Sequence, residues 1–65
     1  MIDYGPFWRT LEQKNITQYA LIHKKGIPNA TLYRMRKGLH ISTSTIDSLC
    51  QALDCNVEDI LQYHS

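Results

Sequence analysis

Asn29, Tyr33 and Arg34 place an amide, a phenol and a guanidinium close together in the stretch Pro28–Gly38. At 3.6 residues per turn a helix advances about 100° per residue, which sorts this stretch into two faces. Pro28, Leu32 and Met35 fall within one narrow arc and are expected to face the core. Ala30, Tyr33, Arg34 and Lys37 centre roughly opposite that arc, with Asn29 at its edge. Hydrogen-bond donors beside one small residue can read base edges, since asparagine pairs bidentately with adenine and arginine with guanine. Tyr33 suits two roles equally, a half-buried core aromatic or an exposed contact with a base, sugar or phosphate.

Other chemistries find less support. The hydroxyls of Ser42, Thr43, Ser44 and Thr45 lie beside His40, but a nucleophile needs a base within hydrogen-bond reach and a pocket that excludes water. A chain of 65 residues buries only about 60% of its unfolded surface and offers little pocket, so no enzyme is expected. Cys50 and Cys55 stand five apart with no Cys-x-x-Cys motif, and are expected to be reduced, partly buried thiols. His23, His40 and His64 are too scattered for a local ligand pair, so neither a metal nor another cofactor is expected.

Charge divides the chain. Lys14, Lys24, Lys25, Arg34, Arg36 and Lys37 all lie within residues 13–46, which contain no acid. Asp3, Glu12, Asp47, Asp54, Glu58 and Asp59 lie outside, with only Arg9 against them, so a formal charge of +1 conceals a basic middle. One basic face would attract a polyanion, nucleic acid first, although charge alone is equally compatible with a solvated surface. The composition, 43% apolar and 20% charged, is that of a globular protein and excludes a disordered one. No apolar run approaches the roughly 20 residues of a membrane helix, and the start Met1–Pro6 lacks a signal-peptide core. A soluble, cytoplasmic, single domain over residues 1–65 is expected.

Five short helices must position these residues, with no strand-type alternation. Gly5 can cap and Pro6 can open helix one, whose Phe7, Trp8 and Leu11 form a stripe up to about Lys14. Thr17 is a good N-cap for helix two, running to about Lys25, where Gly26 can take the left-handed conformation that ends it. Pro28 suits the first turn of helix three, which stops before Gly38. Ser42 or Thr43 caps helix four, with Ile46, Leu49, Cys50 and Leu53 at i, i+3, i+4 and i+7. Asn56 caps helix five, carrying Val57, Ile60 and Leu61, with Asp59 near the positive end of its dipole. Helix, glycine turn and helix across residues 17–37 make a helix-turn-helix plan.

Thr17-Gln18, Gly26-Ile27 eight residues after Gln18, Thr31-Leu32, Met35, Gly38 and the close Ala52-Leu53-Asp54-Cys55-Asn56-Val57-Glu58-Asp59-Ile60-Leu61 together resemble the Cro/Xre-type helix-turn-helix family, in its compact single-domain branch. Tyr4 and Trp8 resemble the start of that branch. The resemblance implies an all-α, lambda-repressor-like bundle, and bacterial or phage transcriptional regulation. It implies sequence-specific double-stranded DNA binding, as a repressor, with helix three in the major groove. Asn29, Ala30, Tyr33 and Arg34 would then contact bases. Thr17, Gln18, Lys25, Thr31, Lys37, His40 and Thr43 would contact phosphates, although Thr31 can simply pack its methyl and the hydroxyls from Ser42 onward can simply cap. Three positions depart from the family pattern: Ile22 replaces a small residue, Lys25 an apolar one, and Arg36 a frequent acidic one. A second class stays open, a protein-binding helical module such as an antitoxin or anti-repressor that does not read DNA. One recognition helix covers few base pairs, so a homodimer is expected, with contact through Ile60, Tyr63 and His64, joined by Ile2 and Tyr4. Closure of the monomer's own core is the competing role for these residues.

Overall fold

A computed structural model describes all residues from Met1 to Ser65. The chain forms four α-helices, one turn of 3-10 helix and a two-stranded antiparallel sheet. In chain order these are β1 (Ile2–Asp3), α1 (Gly5–Gln13), α2 (Gln18–His23), α3 (Asn29–Arg36), α4 (Thr43–Leu53), the 3-10 turn Val57–Asp59, and β2 (Gln62–Tyr63). No helix is long and apolar enough to cross a membrane.

The helix ends follow from local chemistry. The Gly5 N–H at the start of α1 donates to the Asp3 carboxylate at 2.8 Å. Beyond Lys14 the chain reverses at Asn15, whose φ of 57° is left-handed. Thr17 caps α2 by accepting from the Ala20 N–H at 3.0 Å. That helix ends at His23, earlier than expected, and Gly26 at φ 76° turns the chain. Left-handed backbone favours glycine because no Cβ crowds it. Pro28 is an exposed N-cap in extended conformation (φ −62°, ψ 141°), so the expectation that it faces the core is corrected. Its fixed φ serves the entry to α3 instead. Ser42, rather than Thr43, caps α4 by accepting from the Thr45 N–H at 3.1 Å.

The expected fifth helix is reduced to a single turn. The Asn56 N–H donates to the Asp59 carboxylate at 3.0 Å, which starts the turn as anticipated. The Thr10 hydroxyl then donates to the Asp59 carbonyl at 2.8 Å, engaging from outside an oxygen that a continuing helix would use. The chain extends instead, and β2 pairs with β1 in the register Ile2 with Tyr63 and Asp3 with Gln62. His64 N–H donates to the Met1 carbonyl at 2.9 Å, and the Met1 amino group donates to the His64 carbonyl. Two-residue strands carry no alternation, which is why the helical reading of the sequence omitted them.

One core of ten buried side chains joins the elements. Phe7 and Leu11 come from α1, Leu21 from α2, Leu32 and Met35 from α3, and Leu49 and Leu53 from α4. Ile60 closes the core with no exposed surface, so its assignment to a dimer contact is corrected. Val57, expected beside Ile60 and Leu61 on helix five, is 50% exposed. The single turn places Ile60 inward and Val57 outward. Tyr4 is also buried, and its hydroxyl donates to the Leu39 carbonyl at 2.7 Å, anchoring the loop that follows α3.

Candidate nucleic-acid interface

The core pins α3 through Leu32 and Met35, and the opposite side of that helix faces solvent. Asn29, Ala30, Tyr33, Arg36 and Lys37 are exposed, while Thr31 and Arg34 are half-buried. Lys37 holds its ammonium 5.8 Å from the centre of the Tyr33 ring, a cation–π approach that keeps the charge beside the phenol. Tyr33 is therefore on the surface, 51% exposed, and not among the core aromatics.

Arg34 is committed elsewhere. Its Nε donates to the His40 carbonyl at 2.9 Å, and Nη2 lies 3.3 Å from His40 Nε2. Arginine has no acceptor, so the ring nitrogen must accept. The expectation of Arg34 as a freely projecting base reader therefore changes: its guanidinium braces the loop between α3 and α4.

Thr17 turns its hydroxyl oxygen to the backbone of α2. Gln18, at the start of that helix, meets the far end of α3, where Arg36 donates from Nη1 to Gln18 Oε1 at 2.6 Å. Lys25 and His40 are exposed in the turns flanking α3, and Thr43 is exposed at the start of α4. Residues 13–46 contain no acid, and Asp3 from the N-terminal strand lines a surface cavity with Arg36 and Lys37. The fold thus brings together Gln18 with the end of α3, Tyr33 with Lys37, and Arg34 with His40. Tyr63 and His64 stand apart on and beside β2, where His64 Nε2 lies 3.0 Å from the Asp3 carboxylate.

Sequence reasoning left Arg36 outside the site residues. Its signals were its place among the central cations and the change from a frequent acidic residue, which favours phosphate contact, whereas its bond to Gln18, 18 positions away, was not legible. Tyr19 lies outside the expected site. It is 68% exposed on α2 and packs on the His23 ring with centroids 4.3 Å apart, an i, i+4 pair legible from spacing.

The hydroxyls of Ser44 and Thr45 bond to that of Ser42. Ser42 Oγ lies 2.9 Å from both Ser44 Oγ and Thr45 Oγ1, while His40 addresses Arg34. Cys50 and Cys55 are free and half-buried. Burial first, then the nearby Cys50 and Asp59, pushes the Cys55 thiol up to about 11, which keeps it protonated and a poor nucleophile at neutral pH.

Residues 7–64 match the family model of the Cro/C1-type HTH DNA-binding domain. The fold is similar to the crystal structure of transcriptional regulator VanUg, Form II, with a TM-score of 0.83 and 21% sequence identity, covering 94% of this chain and 81% of that one. At this identity the likeness is one of fold. No curated protein matches the chain.

Proposed function

The chain belongs to the Cro/C1-type helix-turn-helix DNA-binding family, and on that premise we propose that residues 1–65 act as one sequence-specific transcriptional regulator, a repressor, that places α3 in the major groove of double-stranded DNA. The observation that carries this reading is the exposed side of α3, where Asn29, Ala30, Tyr33 and Lys37 stand free of the core. Asn29 is the leading base reader, with Ala30 admitting close approach and Tyr33 completing the face. Arg34 contributes by fixing the loop, and its remaining N–H groups can reach the backbone. Gln18, Thr31, Lys37 and Thr43 hold phosphates on either side, with Thr17, Lys25 and His40 assisting, which sets docking orientation. Repression follows from occupancy of the site, with the protein acting as a homodimer on a two-fold symmetric sequence.

The test is binding to random duplex DNA across a salt series, followed by selection of bound sequences from a random pool. Neutralising phosphates releases counterions, so affinity should fall steeply as salt rises. Selection should return a short preferred sequence. Affinity indifferent to salt, with no sequence enriched, overturns the reading.

A further inference from the structure

The bond between Arg36 and Gln18 joins the last turn of α3 to the first residue of α2, and both side chains remain exposed. A carboxamide carries an acceptor oxygen at one end of its fork and an NH2 group at the other. With the oxygen engaged by a guanidinium at 2.6 Å, the NH2 end is the one left without a partner in the fold and turned to meet one. The guanidinium uses one of its five N–H groups in this bond and keeps the others. Together the two side chains present donors and one positive charge, with Lys37 next in the chain. Such a surface matches the acceptor-only oxygens of a phosphodiester.

The geometry points to Arg36 as the positioning residue of a two-part phosphodiester clamp. It orients the Gln18 carboxamide so that the amide NH2 and the remaining guanidinium N–H groups converge on one phosphate of the DNA backbone. This rests on the DNA-binding reading above and adds to it a coupling: Gln18 contributes fully only while Arg36 holds its oxygen. Without Arg36 the amide rotates freely and offers donor and acceptor ends alike, and the acceptor end repels a phosphate.

A double-mutant cycle with the full chain tests the clamp. Gln18→Ala, Arg36→Ala and the double variant are titrated with a selected duplex and a random duplex over a salt series. Gln18→Ala should weaken binding about fivefold in the unaltered protein and less than about twofold once Arg36 is alanine. Arg36→Ala should also lower the slope of log affinity against log salt by about 0.9. Gln18→Glu, which still bonds Arg36 but offers no donor, should bind no better than Gln18→Ala. An equal fold-cost of Gln18→Ala in both backgrounds overturns the clamp, as does loss of cooperative melting in either single variant, which would make the pair a structural tie. Absence of salt-dependent binding by the unaltered chain fails differently: it removes the DNA-binding reading and the clamp with it.

Discussion

Arg34 donates to the carbonyl of His40 at 2.9 Å, across six residues that include the end of α3 and the turn at Gly38. The bond shares its task with a backbone link, Leu39 N–H to the Arg34 carbonyl at 2.8 Å. The half-buried Arg34 of α3 therefore holds the loop that leads to α4, and the proposed reading of sequence falls to the exposed Asn29.

The two side chains should separate by mutation. Asn29→Ala should flatten the preference at one base pair, a loss of about 1–3 kcal/mol of discrimination. Arg34→Ala should weaken binding to all duplexes together, because it releases the loop rather than a base contact. Binding measured on the selected site and on single-base variants of it decides between them. A loss of preference at one position with Arg34→Ala would restore that residue as a reader.

Lys37→Ala should weaken binding to every sequence alike and lower the salt slope by about one unit, as the loss of one phosphate contact requires. Titration of the selected and a random duplex at several salt concentrations measures both effects. A loss confined to the selected sequence would instead place Lys37 on a base, alongside the Tyr33 ring that it overhangs.

Short polar signals were the part of the fold open to sequence reading. Thr17 marks the start of α2 by its side-chain cap, and Gly26 marks the left-handed turn that follows, although the helix itself stops three residues earlier at His23. The stripe of α4 was equally plain, since Leu49 and Leu53 repeat at helical spacing and both are buried. Contacts between distant positions were not legible. Thr10 meets Asp59 across 49 residues, and that meeting and the pairing with β1 accompany the change from a capped turn to a strand. Arg34 shows the same limit at the site. Periodicity assigns its Cα to the outer face, but a long side chain can bend back to a carbonyl that the loop brings near. Arg36 and Gln18 depend likewise on how α2 and α3 cross.

Tyr4→Phe should destabilise the protein by about 1 kcal/mol by removing the hydrogen bond to the Leu39 carbonyl. The ring keeps its place in the core, so urea unfolding should shift in midpoint with an unchanged m-value. Because Leu39 lies in the loop that Arg34 also holds, Tyr4→Phe combined with Arg34→Ala should reduce DNA affinity more than the product of the single effects.

Acid should loosen the junction of the termini through Asp3. The Gly5 N–H, then the His64 and Gln62 side chains, hold this carboxyl below its usual value of 3.8. A folded-state value below the unfolded one contributes stability that is present above the unfolded value and lost as pH falls through the folded one. Stability should therefore decline below about pH 4, and Asp3→Asn should flatten that decline. Urea midpoints for both proteins from neutral pH downward measure it. Parallel acid limbs in the two proteins would show that Asp3 is not the group responsible.

Ile60 in the core leaves Tyr63 and His64 as the contact proposed for a homodimer, with Ile2 beside them on the paired strand. Tyr63 is 71% exposed and Ile2 47%, and their side chains border strands whose outer edges are unpaired. A standard stable interface buries about 800 Å² per partner, a large share of the 4453 Å² that this small protein exposes. Two strands of two residues each supply too little surface for that. The pair should accordingly be weak in free solution and form on DNA, where two copies of α3 can occupy major grooves about 34 Å apart. Sedimentation should show a monomer alone and two copies on a palindromic duplex, and Tyr63→Ala should lower the cooperativity of the second copy while leaving the first unchanged. One protein per palindromic duplex at saturation would refute the dimer, and cooperativity unaffected by Tyr63→Ala would move its contact away from β2.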